Sequence, residues 1–432
     1  MNRKKCLMIT PVFPPRNTAG IFRTLRFSKY MSNFGWAPII CTMNSNDPKD
    51  FDPTSYGLAV DAEIERFGEL SYCEEGSQSA RSSSTAGQVH KPFGRIRKYL
   101  RPIREYFFET PDKNIDWANL LKRKGLGIIQ RTGAQLIYSS GPPHSSHLAA
   151  LALSRSSRLP WIADFRDPWA RKPWQDTRNP IGARLNPYYE RSVIRSAHCV
   201  ILNNPSSLED FQNAYPEYAE KLCCIPNGID PAMQLQVQSV LSAVPRESRN
   251  TIPTICHSGN LYGSRDPRPL IRAIASLNRK GTPVCFHQLG AVTRASEIEQ
   301  EIASLNIGHL IEFNPPIPHS QALERMATAD ILTLIQPDAS VMVPAKLFEM
   351  MLFKKPILAI CDSPSTEQIV QEYGGGCAAS RDIQQIEKMI VRALDQLSDN
   401  SSQDKRASTI DKYDGVNLTG QLVEIMNRLV CR

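Results

Sequence analysis

The sequence predicts an α/β protein of two domains, each built on a parallel sheet. Three observations carry this. The chain has 432 residues, more than one ordinary core organises. Short apolar runs alternate with amphipathic helical patterns almost from end to end, as parallel strands joined by crossover helices require. The alternation comes in two series, separated by a polar, weakly patterned stretch over 230–250.

In the first series, strands are expected at 6–9, 37–41, 135–139, 160–163 and 198–202. The segment after the first loop places Phe27, Tyr30, Met31 and Phe34 on one helical face. In the second series, strands are expected at 253–256, 283–289, 309–313, 329–335 and 356–360. Between the first two of these lies a marked helix: Asp266 caps it, Pro267 opens it, Leu270, Ile274 and Leu277 form its buried face, and Gly281 ends it. The last helix carries Leu418, Leu422, Ile425, Met426 and Leu429 on one stripe, which must dock on something. Residues 230–250 read as the linker. The Ser-rich stretch within 72–95 (SQSARSSSTAGQ) reads as a mobile surface loop.

Composition narrows the class. Hydrophobic residues at 41% and charged residues at 22% are those of an ordinary soluble domain rather than a disordered or membrane-spanning chain. The net charge of +8 suits anionic partners without choosing among them. Eleven cysteines with no CxxC pair, and Cys223 next to Cys224, fit neither a zinc site nor a disulfide framework. They read as small buried hydrophobes in a reducing compartment. The apolar run after Arg3, Lys4 and Lys5 spans only Cys6 to Ile9, too short for a signal peptide, and no later run reaches the roughly 18 residues of a membrane span. The expected location is the cytoplasm. The basic, apolar-interleaved stretch 94–108 (GRIRKYLRPIREYFF), broken by Pro102, suits an anionic membrane surface and would hold the protein peripherally at the inner face.

The chemistry-bearing groups fall on loops that follow predicted strands, where open parallel sheets bind ligands. After the first strand, FPPRNTAG brings Gly20 to a helix start, with Arg16, Arg23 and Arg26 around it. This is neither GxGxxG nor a P-loop, so dinucleotide and ATP binding are not indicated. YSSGPPHSSH supplies His144 and His147, and ADFRDPW supplies Asp164, Arg166 and Asp167. A plain reading of these is structural packing and ion pairing. In the second series, HSGNLYGSRDPRPL combines Gly259 and Gly263 with Arg265 and Arg268 just before a helix, a set suited to a diphosphate. Lys346 and Glu349, three residues apart, share a helical face, and Glu349 can accept hydrogen bonds from sugar or ribose hydroxyls.

These segments together resemble the retaining glycosyltransferases of family 4, which have the GT-B fold. The resemblance lies in FPPRNTAG, in IPNGID at 225–230, in SGNLYG ending at Gly263, in VPAKLFEMM at 343–351 and in SPSTEQIVQEYGGG at 363–376. YSSGPPHSSH and ADFRDPW resemble a branch linked to cell-surface polysaccharide assembly. The resemblance implies two Rossmann-like domains whose parallel sheets face a central cleft: 1–235 for the acceptor, 250–415 for the nucleotide-sugar, and a helix at 416–432 crossing back to the first. It implies a hexosyltransferase-type enzyme that moves a sugar, with retention, from a nucleotide-sugar donor to a glycan or lipid-linked acceptor. No cofactor, metal or nucleic acid is implied. By the same resemblance, Gly20, Gly259, Asn260, Arg265, Arg268, Asp338, Lys346, Leu347 and Glu349 serve the donor, while the expected convergence of the two post-strand loops on one sheet edge gives Arg166, Asp164, His144 and His147 to the reaction. Arg265 stands for the family's phosphate-binding lysine and Glu349 for its ribose-holding glutamate. The chain departs from the pattern where Val341 replaces a first glutamate, with Asp338 as a substitute carboxylate, where Asn260 replaces a phosphate-loop arginine, and where Arg166 falls near an expected histidine. Those departures keep two rivals open: a nucleotide-sugar epimerase of the same fold, and a catalytically inactive binding protein.

Overall fold

The computed structural model describes residues 3–15, 20–44, 62–68, 110–171, 180–244, 252–337, 341–397 and 402–431. The predicted loop within 72–95, the basic stretch 94–108, and Arg16 and Asp338 lie outside the described residues.

Among the described residues, seven strands form the first sheet: β1 (Lys4–Ile9), β2 (Trp36–Thr42), β3 (Glu63–Arg66), β4 (Leu136–Gly141), β5 (Trp161–Phe165), β6 (Cys199–Leu202) and β7 (Leu222–Cys224), in the order β3-β2-β1-β4-β5-β6-β7. Six form the second: β8 (Thr254–Ser258), β9 (Cys285–Leu289), β10 (Ile311–Asn314), β11 (Ile331–Gln336), β12 (Ile357–Cys361) and β13 (Gly376–Ala378), in the order β10-β9-β8-β11-β12-β13. The pairing is parallel, with Met8 opposite both Ile40 and Tyr138, and Leu332 opposite both Cys256 and Ile357. In each sheet the winding direction reverses once, between β1 and β4 and between β8 and β11. Loops at the carboxyl ends of those strands diverge and leave a crevice.

The connecting helices are α1 (Ile21–Tyr30), α2 (Ile115–Thr132), α3 (Ser145–Ser157), α4 (Pro180–Ser196), α5 (Pro205–Ala214), α6 (Pro231–Ala243), α7 (Arg268–Arg279), α8 (Ala295–Leu305), α9 (His319–Thr328), α10 (Ala345–Met351), α11 (Pro364–Tyr373), α12 (Ile383–Asp395), α13 (Ser402–Lys412) and α14 (Gly415–Val430). They divide between two compact units. The first comprises Met1–Leu202, Tyr215–Cys223 and Leu422–Arg432; the second comprises Asn203–Ala214 and Cys224–Gln421. The boundary expected at 235 therefore gives way to an interleaved one. Asn203–Ala214 joins the second unit because Asn204 Nδ2 and Ser207 Oγ both donate to the Val341 carbonyl, at 3.0 and 2.8 Å, and Ser206 binds Ser365.

Each strand that is covered on both faces reads as a continuous apolar run. β11 shows how alternation fills two cores: Leu332 and Leu334 join Leu323, Leu347, Phe348 and Val370 on one face, while Ile331 and Ile335 join Leu270, Ile274, Ile386 and Ile390 on the other. In the first unit, Asn427 near the end of α14 accepts hydrogen bonds from Lys4 Nζ and Trp36 Nε1, both at 3.1 Å. Leu418, Leu422 and Met426 are buried. Among the described residues no helix is long and apolar enough to cross a membrane.

Two expectations are corrected. Residues 230–250 are not an irregular linker throughout, since α6 occupies Pro231–Ala243. Asp230 caps it by accepting from the Ala232 N–H at 2.8 Å, Pro231 takes the first helical position, and Val237 is wholly buried. Phe34 does not belong to the buried face of the first helix. α1 stops at Tyr30, Met31–Phe34 tighten into a 3₁₀ turn ended by Gly35 at φ +81°, and Phe34 is left 39% exposed. Replacing Asp230 by Ala removes the α6 cap and is expected to cost about 1 kcal/mol of stability, read by urea unfolding.

Candidate active site

The carboxyl edge of the second sheet is organised around one peptide group. β8 ends at Ser258, and Gly259 continues at φ +149°, a conformation that an L side chain rarely adopts. The Gly259 N–H donates to the Leu289 carbonyl at 2.8 Å, and the Gly259 carbonyl accepts from Gln288 Nε2 at 2.6 Å. The opposite atom of that amide, Gln288 Oε1, sits 2.7 Å from His257 Nδ1, so Nδ1 carries the proton. Gly290, at φ +132°, packs so closely that a Cβ there would lie 2.6 Å from the Gly259 oxygen. Asn260 completes the clasp, its Oδ1 accepting from the Ala291 N–H at 3.0 Å.

Two cations attend this loop. Lys346 on α10 donates from Nζ to Ser258 Oγ at 3.1 Å, and its chain lies 3.9 Å from where a Gly259 Cβ would stand. Arg265 lies over the Tyr262 ring, 4.7 Å from its centroid. Among the described residues neither has a carboxylate partner. Burial first, then the charges of Lys346 and Arg265, push the His257 imidazole down to about 4 despite the Gln288 hydrogen bond. Both cations are therefore close enough for their charge to be felt at the base of the loop. Glu349, one turn along α10, meets His319 Nε2 at 3.2 Å, with its side chain 18% exposed.

Several other predicted site residues are engaged elsewhere. Arg268 is held by both Asp266 oxygens, with Nε at 2.9 and 2.8 Å, and lies 3.6 Å from Glu297. Leu347 is a wholly buried core residue, so its side chain meets no ligand. Val341, in place of the expected glutamate, contributes only its carbonyl, bound by Asn204 and Ser207.

In the first unit, the carboxyl ends of β4 and β5 carry a buried ion pair. Arg23 donates from Nε to both oxygens of Asp164, at 3.1 and 2.9 Å, and from Nη2 at 2.8 Å. Tyr138 and Ser140 also donate to Asp164, at 2.6 and 3.2 Å. Burial raises the Asp164 carboxyl, but the Arg23 charge and these hydrogen bonds hold it below the usual range. Asp164 is fully buried and saturated, a structural anion rather than an exposed acid. His147 is bonded to Ser139 at 2.8 Å, stacked on Phe165, wholly buried, and pushed down to about 3 by burial. His144 stacks on Trp169 with centroids 4.8 Å apart. Both histidines crowd Gly141, where a Cβ would lie 2.6 Å from His147 Nε2. These three residues, expected to serve the reaction, are thus part of the packing. Arg166 passes beside Gly20, where a Cβ would meet its Nη1 at 2.7 Å, and donates to the Pro142 carbonyl. Among the described residues, no group of three or more His, Cys, Asp or Glu is placed to hold a metal ion.

The architecture is shared with solved structures of low identity. Sucrose-phosphate synthase from Thermosynechococcus elongatus is 14% identical, with TM-score 0.68 over 99% of this chain and 100% of its own. A glycosyltransferase from Rickettsia africae is 13% identical, with TM-score 0.66 over 100% and 99%. Anabaena HepE, in complex with UDP and glucose, is 16% identical, with TM-score 0.61 over 99% and 100%. The chain has the GT-B fold. Residues 78–233 also match the model of Glycosyltransferase Family 4. Among curated proteins, none matches the sequence.

Within this GT-B protein, sequence reasoning missed Gln288, Gly290, Ser258 and His319. Gly290 was legible as a glycine directly after a predicted strand. His319 and Glu349 lie 30 positions apart, and no local pattern links them.

Two outcomes test this geometry. Gly290→Ala is expected to displace the Gly259 carbonyl and destabilise the protein by about 1–3 kcal/mol in urea unfolding. His257 is expected to stay neutral down to about pH 4, as seen by NMR titration of its ring. Its folded pKa lies below the unfolded value, so its contribution to stability is complete above pH 6.5 and is lost as pH falls towards 4.

Proposed function

We propose that the protein is a glycosyltransferase that binds a nucleotide-sugar diphosphate at the Gly259 loop. The observation that carries this reading is the pair of cations that have no carboxylate partner among the described residues, Lys346 and Arg265, beside a backbone loop locked in a glycine-only conformation. A diphosphate supplies the missing counter-charge, and guanidinium and ammonium groups hold it through short charge-assisted hydrogen bonds. The match of residues 78–233 to Glycosyltransferase Family 4 and the GT-B fold support the same reading, as does the UDP and glucose held by HepE.

In the proposed reaction, the bond from the sugar's anomeric carbon to the diphosphate breaks, and negative charge grows on the leaving nucleoside diphosphate. Lys346 and Arg265 stabilise that charge where it develops, taking the part a divalent cation plays elsewhere. Glu349, steadied by His319, accepts hydrogen bonds from the ribose hydroxyls. The acceptor hydroxyl attacks the anomeric carbon on the face the diphosphate leaves, giving retention of configuration, and its proton passes to the departing diphosphate oxygen; the acceptor is a lipid-linked or polysaccharide intermediate presented at the inner membrane face. Transfer proceeds without added metal, so chelation by EDTA leaves the rate unchanged.

Glu349→Ala and Lys346→Ala are each expected to lower kcat/KM for the donor by about 10–100-fold, the worth of a charge-assisted contact of roughly 1.5–3 kcal/mol. Arg265→Ala is expected to raise the donor concentration needed for half-maximal rate. The assay is release of nucleoside diphosphate across a panel of nucleotide-sugars and acceptors. Unchanged donor dependence in all three variants refutes the site. Formation of a new nucleotide-sugar from donor alone assigns the epimerase reaction instead.

A further inference from the structure

A separate cavity of about 490 Å³ opens at the carboxyl edge of the second sheet. Its lining includes Arg268, Arg272, Arg294 and Arg381, and among the described residues one carboxylate, Asp266. Gly259, Lys346 and Glu349 take no part in it.

The charges of this cavity do not close. Arg268 is satisfied by Asp266 and Glu297, and Arg272 by Glu301. Arg294 and Arg381 have no hydrogen-bond or ion-pair partner for their guanidinium groups among the described residues. Burial raises the Asp266 carboxyl, but the hydrogen bonds and charge of Arg268, with the charge of Arg294, bring it below its usual value, so it is already ionised and committed. Arg294 also holds a left-handed backbone, φ +61°, at the residue preceding α8, a conformation unfavourable for a side-chain-bearing residue. Ile335 and Ile360, at the ends of β11 and β12, supply an apolar wall. A cavity of this size suits a small molecule with a ring-sized body, and planar guanidinium forks suit phosphate oxygens.

We infer that this cavity is a second anion site, which takes the phosphate group of a phosphorylated small molecule between Arg294 and Arg381 and rests its body against Ile335 and Ile360. The cavity lies beside the proposed donor site, since Gly263, Ser264 and Asp266 of its lining flank Arg265, but Arg294 and Arg381, which carry the inference, belong to other loops. The phosphate has two possible sources, a nucleotide ligand of the protein itself or a separate phosphorylated compound.

The test is isothermal titration of the full chain with inorganic pyrophosphate. The wild type is expected to bind at two sites. Arg294→Ser/Arg381→Ser is expected to weaken one of them at least tenfold, and Lys346→Ala to weaken only the other. Both replaced arginines are exposed, so the double variant should unfold at the wild-type temperature. Saturating UDP then separates the sources: loss of the arginine-dependent site assigns it to a nucleotide phosphate, and its survival assigns it to a separate ligand. If the double variant binds pyrophosphate with the wild-type stoichiometry and affinity, or the wild type binds none, the inference is overturned. An ineffective Lys346→Ala alone overturns only the donor-site reading.

Discussion

The Gly259 carbonyl lies 2.6 Å from Gln288 Nε2, and the α-carbon of Gly290 is so near that no side chain fits there. Much of the second unit's carboxyl edge follows from that contact. It joins the loop after β8 to the loop after β9, which parallel pairing alone brings only side by side. It fixes the direction of the Gly259 peptide and gives Lys346 a constant surface to lie on. Gln288 can donate to Gly259 only because its other amide atom is engaged by His257, whose burial keeps the imidazole neutral and its Nδ1 protonated. A preformed loop of this kind has little ordering cost to meet when an anion arrives.

Counter-charge separates scaffold from candidate site more sharply than residue type does. Arg23 and Arg268 are as cationic as Arg265, yet each is matched by a carboxylate. The Arg23–Asp164 pair is deeply buried, and removing either partner would strand a charge away from water at a cost of about 3–5 kcal/mol. That expense explains why Tyr138 and Ser140 also converge on Asp164. Lys346 and Arg265 differ in that their nearest partners are neutral, a hydroxyl and an aromatic ring. The reaction proposed for the protein needs positive charge that is held in place but not yet spent.

The two histidines of the first unit illustrate the same distinction. A histidine after a strand invites a catalytic reading, but His147 is wholly buried, hydrogen-bonded to Ser139 and sandwiched with Phe165. With its pKa near 3 it is neutral throughout the physiological range, so the imidazolium that a general acid needs is not populated there. What these rings provide is shape: together with Trp169 they fill the space above Gly141.

The period of the apolar residues determined, from sequence alone, that this chain would make two parallel α/β units. The strands predicted from 6–9 to 356–360 all appear, because a strand buried on both faces must be apolar throughout. Helix signals were local but shifted by one residue: Pro267, not Asp266, takes the capping position of α7, Asp266 accepts from the Arg268 N–H, and Gly281 follows the end at φ +81°. Strand β3 was not read because its sequence, EIER, is charged and partly exposed, and β7 and β13 because three residues are too few to carry a period. Helix α6 was missed although its signals were in the sequence: Asp230 and Pro231 at its start, and Met233, Val237, Val240 and Leu241 at helical spacing, packed on the second unit's core. Only the tertiary structure decided which polar residues remain available. Whether Arg268, Asp164 or Lys346 has a partner depends on side chains that meet by folding, and pairings such as Arg23 with Asp164, 141 positions apart, leave no trace in local pattern.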